Sequence, residues 1–339
     1  MKSVFFNQPG GLEVLKYGEF PMPQPKSGEA LVRVRACALN RLDIWLRKGM
    51  QKVSLPHIVG SDVSGVIAEI HGDTSLKVGD EVVINPERAC GSCERCQQGK
   101  SCGMVTLLAR QTNGGYAEYV SVSLEQLYRK PKHLSFVEAA AFPLTFLTAW
   151  HALRTRAALE KGETIFVWGA SGSLGPAVIQ ISKLFGAKVI AAVRSEDVGT
   201  IVRLWGADEI IIYPQENVME RVLELTHGKG VDVVFESVGE KTFSQSIGML
   251  KPYGRVVVVG VTSGEKVSFK LSEFYPKQFS ILGARMGTKE EFEQVLELIN
   301  TRKLKPVIDT TFPLSRAAEA QQRMEEGKHI GKIVLEVAD

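Results

Sequence analysis

Long apolar runs are missing from this chain. The stretch Ala139–Leu153, 15 residues without Asp, Glu, Lys or Arg, contains Pro143, Thr145 and Thr148. That is too short and too interrupted for a bilayer span, which takes about 20 residues. An excess of one charge is missing too: 41 Lys and Arg against 38 Asp and Glu leave +3, without long runs of either sign. Neither nucleic acid nor a membrane surface is therefore an expected partner. Cysteine is scarce, five in 339 residues, and four of the five crowd between 90 and 102, which argues against a secreted disulfide framework. The opening residues, MKSVFFNQPGG, lack the apolar segment of a cleavable signal, so a cytoplasmic location is expected. What is present is an ordinary globular balance, 44% hydrophobic and 23% charged, with no repeat or low-complexity segment. The length suits roughly two domains.

Texture changes along the chain. Up to about residue 130, short runs alternate apolar and polar residues, as half-buried strands do: Leu31–Ala36, Val63–Ile70, Glu81–Ile84 and Tyr116–Val122, divided by the turn residues Val78-Gly-Asp80 and Asn113-Gly-Gly115. They predict a small β-rich, barrel-like domain over 1–145. From there, β-branched runs (Thr164–Trp168, Val189–Val193, Ile210–Ile212, Val231–Phe235, Val256–Val259) alternate with amphipathic stretches (Ala177–Phe185, Asp197–Trp205, Val218–Thr226, Lys241–Leu250). That alternation predicts a doubly wound parallel sheet of the Rossmann kind, an α/β domain over 146–285. A helix at Lys289–Thr301 and a strand at Lys332–Val337 are expected to return, as 286–339, to the first domain.

Between the first strand and helix of the wound half lies Gly169-Ala-Ser171-Gly172-Ser173-Leu174-Gly175. Glycines at every third position let the backbone turn sharply, approach a pyrophosphate and pack the helix closely on the strand, while the helix N-terminus offers its dipole to the phosphates. The alternative is a tight turn with no ligand. At the end of the second strand, where an acidic side chain would hold the ribose hydroxyls of NAD, this chain has Arg194-Ser195. A guanidinium can fork onto a 2′-phosphate, which favours NADP(H); the competing detail is Glu196-Asp197, which with Ser195 would also suit a helix start.

Cys90-Gly-Ser-Cys93-Glu-Arg-Cys96-Gln-Gln-Gly-Lys-Ser-Cys102 places four thiols where they can converge on one tetrahedral ion. Four protein ligands leave no open position, so the expectation is a structural zinc. A redox dithiol and an emptied metal lobe are the other readings.

A β-rich domain, this cysteine lobe and the mid-chain glycine motif together resemble the medium-chain dehydrogenase/reductase superfamily, in particular zinc-type alcohol dehydrogenases and quinone oxidoreductases. The resemblance also rests on Ala36-Cys-Ala-Leu-Asn-Arg-Leu-Asp43, Leu55–Gly65, Val78–Val82, Leu147-Thr-Ala-Trp150, Gly206-Ala-Asp208, Val231–Gly239 and Gly331–Leu335. It implies a GroES-like catalytic domain, substrate bound between the two domains, hydride passing to or from a nicotinamide, and a homodimer or homotetramer. Cofactor contacts are expected at Gly169, Ser171, Gly172, Ser173, Leu174, Gly175, Arg194, Ser195, Gly260 and Val261. Alcohol dehydrogenases of this kind bind catalytic zinc at positions that here read Asn40, Ser61 and Leu144. Leucine cannot ligate zinc, and neutral Asn and Ser oxygens are poor substitutes for thiolate and imidazole.

With a structural but no catalytic zinc, the expected substrate is a small molecule already electrophilic at carbon, a quinone or an α,β-unsaturated carbonyl compound. Asn40, Asp43, Ser61 and Thr148 are the candidate polar groups. Asp43 also stands four residues before Arg47, the spacing of a helix-surface ion pair. Trp45, Trp150 and Tyr116 are open between stacking on a flat substrate and filling the core. Two further readings stand: an alcohol dehydrogenase whose catalytic zinc uses atypical ligands such as His57 or Asp62, and an NADPH-binding protein without turnover. The runs Val256–Val261 and Ile281-Leu282 are candidates for extending a sheet between subunits.

Overall fold

A computed structural model describes residues 1–98, 102–213 and 215–338. The chain divides into two compact units, Met1–Leu144 with Thr288–Asp339, and Thr145–Gly287. The first holds strands β1 (Lys2–Phe5), β2 (Lys16–Glu19), β3 (Glu29–Ala38), β4 (Asp62–His71), β5 (Glu81–Ile84), β6 (Glu87–Arg88), β7 (Thr106–Leu107), β8 (Tyr119–Ser123) and β9 (Leu127–Arg129). From the end of the chain it takes β16 (Ile308–Pro313) and β17 (Lys332–Glu336). Its helices are α1 (Arg41–Arg47), α2 (Glu94–Gln97), α3 (Phe136–Ala140), α10 (Lys289–Asn300) and α11 (Ala317–Glu325), while α4 (Pro143–Trp150) leads from one unit into the other.

Seven strands form the main sheet of this unit, in the order β16-β17-β3-β4-β5-β9 with β8 on β3. Register decides what meets at its end. Where β3 finishes, Ala38 lies opposite Asp62 of β4 on one side and Val334 of β17 on the other. The residues just past β3 therefore emerge between the first residue of β4 and Lys332, the first of β17. Val32, Val34, Ile44, Leu46, Val63, Ile67 and Tyr116 belong to the core beneath. Two elements of the tail, β16 and α11, were not expected from the sequence.

The second unit is a six-stranded sheet of β10 (Thr164–Val167), β11 (Lys188–Val193), β12 (Glu209–Ile212), β13 (Val231–Glu236), β14 (Leu250–Val258) and β15 (Ser280–Gly283), every pairing parallel. The strand order β12-β11-β10-β13-β14-β15 reverses direction between β10 and β13, the place where doubly wound sheets open a ligand crevice at their carboxyl ends. Its helices are α5 (Gly175–Leu184), α6 (Glu196–Leu204), α7 (Val218–Leu225), α8 (Phe243–Gly248) and α9 (Leu271–Phe274). Buried Phe166, Ile190, Val234 and Val256 on the strands pack with Val222 and Ile247 of α7 and α8. Because β14 is hydrogen-bonded on both sides, it cannot extend the sheet; the edge belongs to β15, with Ile281 exposed. Among the described residues, no helix is long and apolar enough to cross a membrane.

Candidate functional site

The glycine turn has the shape its sequence predicts. β10 is buried from Ile165 onward, and the chain turns through Gly169–Leu174 into α5. A Cβ on Gly175 would lie 1.7 Å from the Ala170 carbonyl oxygen, so helix and turn are as close as only glycine permits. At Gly172 the nearest atom to a Cβ would be 3.4 Å away, so the protein's own packing does not demand glycine there. Open space over a half-buried turn at the switch point is what close approach of a pyrophosphate needs, and these residues fit a dinucleotide. Ser171 is buried within the turn, whereas Ser173 and Leu174 are half-exposed at the start of α5.

At the end of β11, Arg194 and Ser195 are both half-buried. Ser195 takes the N-cap place of α6 in extended backbone, yet its hydroxyl makes no capping bond; Glu196 and Asp197 are exposed in the first helical turn. Gly260 and Val261 follow β14, the second strand beyond the switch point.

In the first unit the structure gathers Asn40, Asp43, Ser61, Asp62, which the sequence offered as an atypical metal ligand, and Lys332, which it offered only as the start of a strand. Buried Lys332 donates from Nζ to Leu39 O at 2.7 Å, Asn40 Oδ1 at 2.8 Å and Asp62 Oδ2 at 2.9 Å. Asp62 Oδ2 also accepts from Asn40 Nδ2 at 2.9 Å, and its Oδ1 from Leu144 N at 2.8 Å. An ammonium with three acceptors and a carboxylate with three donors make a buried pair whose polar demands are met. Asn40 thus lends its carboxamide to the scaffold, and of its two Nδ2 hydrogens this network uses one.

Asp43 is fully buried on α1 and does not pair with Arg47. Its Oδ2 accepts from Asn40 N at 2.8 Å and from the Tyr116 hydroxyl at 3.3 Å, its Oδ1 from Gly60 N at 3.0 Å. The expected ion pair along α1 is corrected: Arg47 points to Glu325 of α11, at 2.8 Å, because Asp43 faces the start of β4 instead. Burial lifts the Asp43 carboxyl from 3.8 to about 7, against the pull of its two backbone N–H donors; burial, with Asp43 beside it, also pushes Tyr116 well up. Gln321 of α11 offsets part of that rise from beside the phenol, although neither of its amide atoms meets hydrogen-bond geometry.

Ser61 differs from its neighbours. It is fully buried between Gly60, fixed by Asp43, and Asp62, fixed by Lys332, and its Oγ has no hydrogen-bond partner. Buried hydroxyls are nearly always paired, and this sets Ser61 apart from the Asn40, Asp43 and Asp62 side chains around it. Thr148 is buried on α4 in the other unit. Trp150, also on α4, packs against Phe185 at 5.4 Å between ring centroids, and Trp45 is half-buried. His57 Nε2 lies 2.9 Å from Ala109 O in the core, where burial lowers its pKa.

The cysteine lobe converges. Sulfur–sulfur distances are 3.4 Å for Cys93–Cys96, 3.5 Å for Cys90–Cys102, 3.8 Å for Cys93–Cys102 and 3.9 Å for Cys90–Cys96. No disulfide links them. Four sulfurs about 2.3 Å from one zinc stand about 3.8 Å apart at the corners of a tetrahedron, so the donors fit the ion. Cys90 N and Met104 N point at Cys102 Sγ, at 3.5 and 3.3 Å. Backbone donors at Cys93 and Ser92 bring Cys90 down to about 6, whereas the Cys93 sulfur and burial push Cys96 up to about 12. The tight loop expected before Cys102 falls partly on 99–101, outside the described residues.

A wound sheet with a glycine turn at its switch point and a β-rich unit carrying a four-cysteine lobe are the combination found in medium-chain oxidoreductases, and similarity to known proteins agrees. Residues 26–132 match the family described as the alcohol dehydrogenase GroES-like domain, and residues 173–301 the zinc-binding dehydrogenases. The chain belongs to the medium-chain dehydrogenase/reductase family, which confirms the resemblance read from its motifs. A quinone oxidoreductase of Pongo abelii is 32% identical, over 99% of this chain and 97% of its own. An NAD-dependent alcohol dehydrogenase of Sulfurisphaera tokodaii is 30% identical, over 95% and 96%. Among solved structures, one described as an NAD-dependent alcohol dehydrogenase superposes with a TM-score of 0.96 at 40% identity, covering all of both chains.

Proposed function

We propose that this chain is an NADP(H)-dependent reductase of quinones or α,β-unsaturated carbonyl compounds, holding one structural zinc at Cys90, Cys93, Cys96 and Cys102 and no catalytic zinc. The observation that carries the second half is how the nearby donors are already spent. Asp62 serves Lys332, Asn40 and Leu144, His57 turns its Nε2 to Ala109 O, and Leu144 has no donor in its side chain. What remains toward an incoming substrate is the unpartnered Ser61 hydroxyl and the spare Asn40 amide hydrogen. Both are neutral donors, suited to a carbonyl oxygen on which negative charge grows, and held in place beforehand by Asp43 and Lys332. A nicotinamide, when bound, would supply the hydride; the chain's own part is to orient the electrophilic carbon and stabilise the oxygen.

Arg194 and Ser195, with no acid at the last position of β11, support NADP(H). The names of two relatives support a second reading, NAD-dependent alcohol oxidation. The test is a matrix of NADPH and NADH against quinones and enones, and of NADP+ and NAD+ against simple alcohols, repeated with Arg194→Ala. NADPH-specific reduction, with a Kd for NADPH that rises far more than that for NADH in the variant, is expected. Equal losses remove the NADP argument, and chelator-sensitive alcohol oxidation replaces the first reading with the second. Cofactor binding without turnover of any electrophile would leave a non-catalytic NADPH-binding protein. The edge position of β15 supports a homodimer or homotetramer with a sheet continued between subunits, and four cysteines at metal-ligand spacing rather than in a disulfide framework support a reducing compartment such as the cytoplasm.

A further inference from the structure

The last residue of β13, Glu236, is a fully buried carboxylate with no basic partner among the described residues. Its Oε1 accepts from Val238 N at 2.8 Å, Gly239 N at 2.9 Å and Thr242 Oγ1 at 3.0 Å; its Oε2 accepts from Thr242 Oγ1 at 2.9 Å and Ser246 Oγ at 2.6 Å. Ser246 Oγ in turn accepts from the Trp168 indole at 2.9 Å, and Ser237 Oγ donates to Trp168 O at 3.3 Å. The carboxylate therefore binds together the ends of β10 and β13 and the start of α8. The turn it shapes fastens the strand end beyond: Thr262 Oγ1 donates to Ser237 O at 3.3 Å, Ser263 Oγ to Val238 O at 2.9 Å, and Val259 N to Glu236 O at 2.9 Å. Burying a charge is costly unless its hydrogen bonds are complete. An amide in its place offers a single acceptor oxygen, which cannot serve four donor groups on two sides.

Place in the sheet gives this cluster its meaning. The half β10-β11-β12 carries the glycine turn and Arg194, so the adenosine side of a dinucleotide belongs there. Past the switch point, the ends of β13 and β14 belong to the other half of the ligand. We propose that Glu236 is a positioning residue for the nicotinamide half of the cofactor, fixing the backbone of 237–239 and, through it, of 259–263, including Gly260 and Val261. This rests on the dinucleotide reading above, and Glu236 itself touches neither cofactor nor substrate.

The test compares NADPH with 2′-phospho-ADP-ribose, which has the same adenosine and pyrophosphate but no nicotinamide. Kd for each, and kcat, are measured for wild type, Glu236→Gln and Glu236→Ala. The glutamine variant keeps the volume and one acceptor, so it remains testable if the alanine variant does not fold. Glu236→Gln is expected to leave the fragment's Kd within about twofold and to raise that of NADPH about tenfold. Its kcat should fall about ten- to a hundredfold, the scale of a reactant misplaced by about 1 Å, and Glu236→Ala should lose more on both counts. Equal weakening of both ligands, or unchanged NADPH binding and kcat in a folded variant, overturns the proposal. Failure of the wild-type protein to bind NADPH and NADH alike instead removes the dinucleotide reading, and the proposal with it; binding of NADH alone moves the same comparison to NADH and ADP-ribose.

Discussion

Ser61 and Asp43 are a residue apart in space and opposite in character, one hydroxyl with no partner beside a carboxyl with three. Replacing a buried, unpaired hydroxyl by a methyl group removes a desolvation cost, so Ser61→Ala is expected to leave the melting temperature unchanged or slightly raised. If the hydroxyl meets the substrate oxygen, kcat falls about a hundredfold, the scale of one lost donor at a developing oxyanion. A lowered melting temperature with unaltered kinetics would return Ser61 to the scaffold. Asp43 predicts a pH dependence. Its proton is held to about pH 7 in the folded chain and to 3.8 in its ordinary state. The stability it contributes is thus fully present below about pH 4 and is lost as the pH rises through 7, on the order of 4 kcal/mol. Urea denaturation between pH 4 and 8 should show this decline in the wild type and a flatter profile in Asp43→Asn. Identical profiles would mean Asp43 titrates normally.

Among the elements, β17 does the most for the site, since its first residue, Lys332, neutralises Asp62. Lys332→Met leaves a buried carboxylate with neutral donors only, and should cost about 3–5 kcal/mol, read as a lowered melting temperature. Pairing it with Asp62→Asn should recover part of the loss. The pair lies 270 residues apart in the chain, joined only by strand order, and for that reason motif reading named Asn40, Asp43, Ser61 and Asp62 as candidates but not Lys332. In the wound half, β10–β14 were legible as short continuous apolar runs and α5–α8 as stretches of period 3.6, while the four-residue α9 and β15 were not. α11 escaped because its inward face, Ala317, Ala320, Gln321 and Met324, has helical spacing but little apolar bulk. β16 escaped because Ile308-Asp-Thr-Thr-Phe-Pro313 does not alternate. The surroundings of Glu236 are short-range, within ten residues apart from Trp168, yet a strand-end acid reads as solvent-facing until the sheet covers it.

For the whole molecule, metal content is the first number to obtain. Elemental analysis of protein purified without added metal or strong chelator should give one zinc per chain. Cys93→Ser should lose the ion and lower the melting temperature while sparing hydride transfer. Two equivalents would reveal a second metal site and move alcohols to the head of the substrate search.

Chain order also sets a timetable for synthesis. Residues 145–287 form one uninterrupted unit, lodged between two separated pieces of the other. The wound sheet has every strand in hand before the ribosome reaches Thr288. The older sheet must wait, with one flank of β3 open at Ala36–Ala38 and Asp62 without its counter-charge, until β17 emerges among the final residues. Domains fold largely as they are made, so the nucleotide-binding unit is ready early, and the nascent chain is most vulnerable in the unit that was begun first.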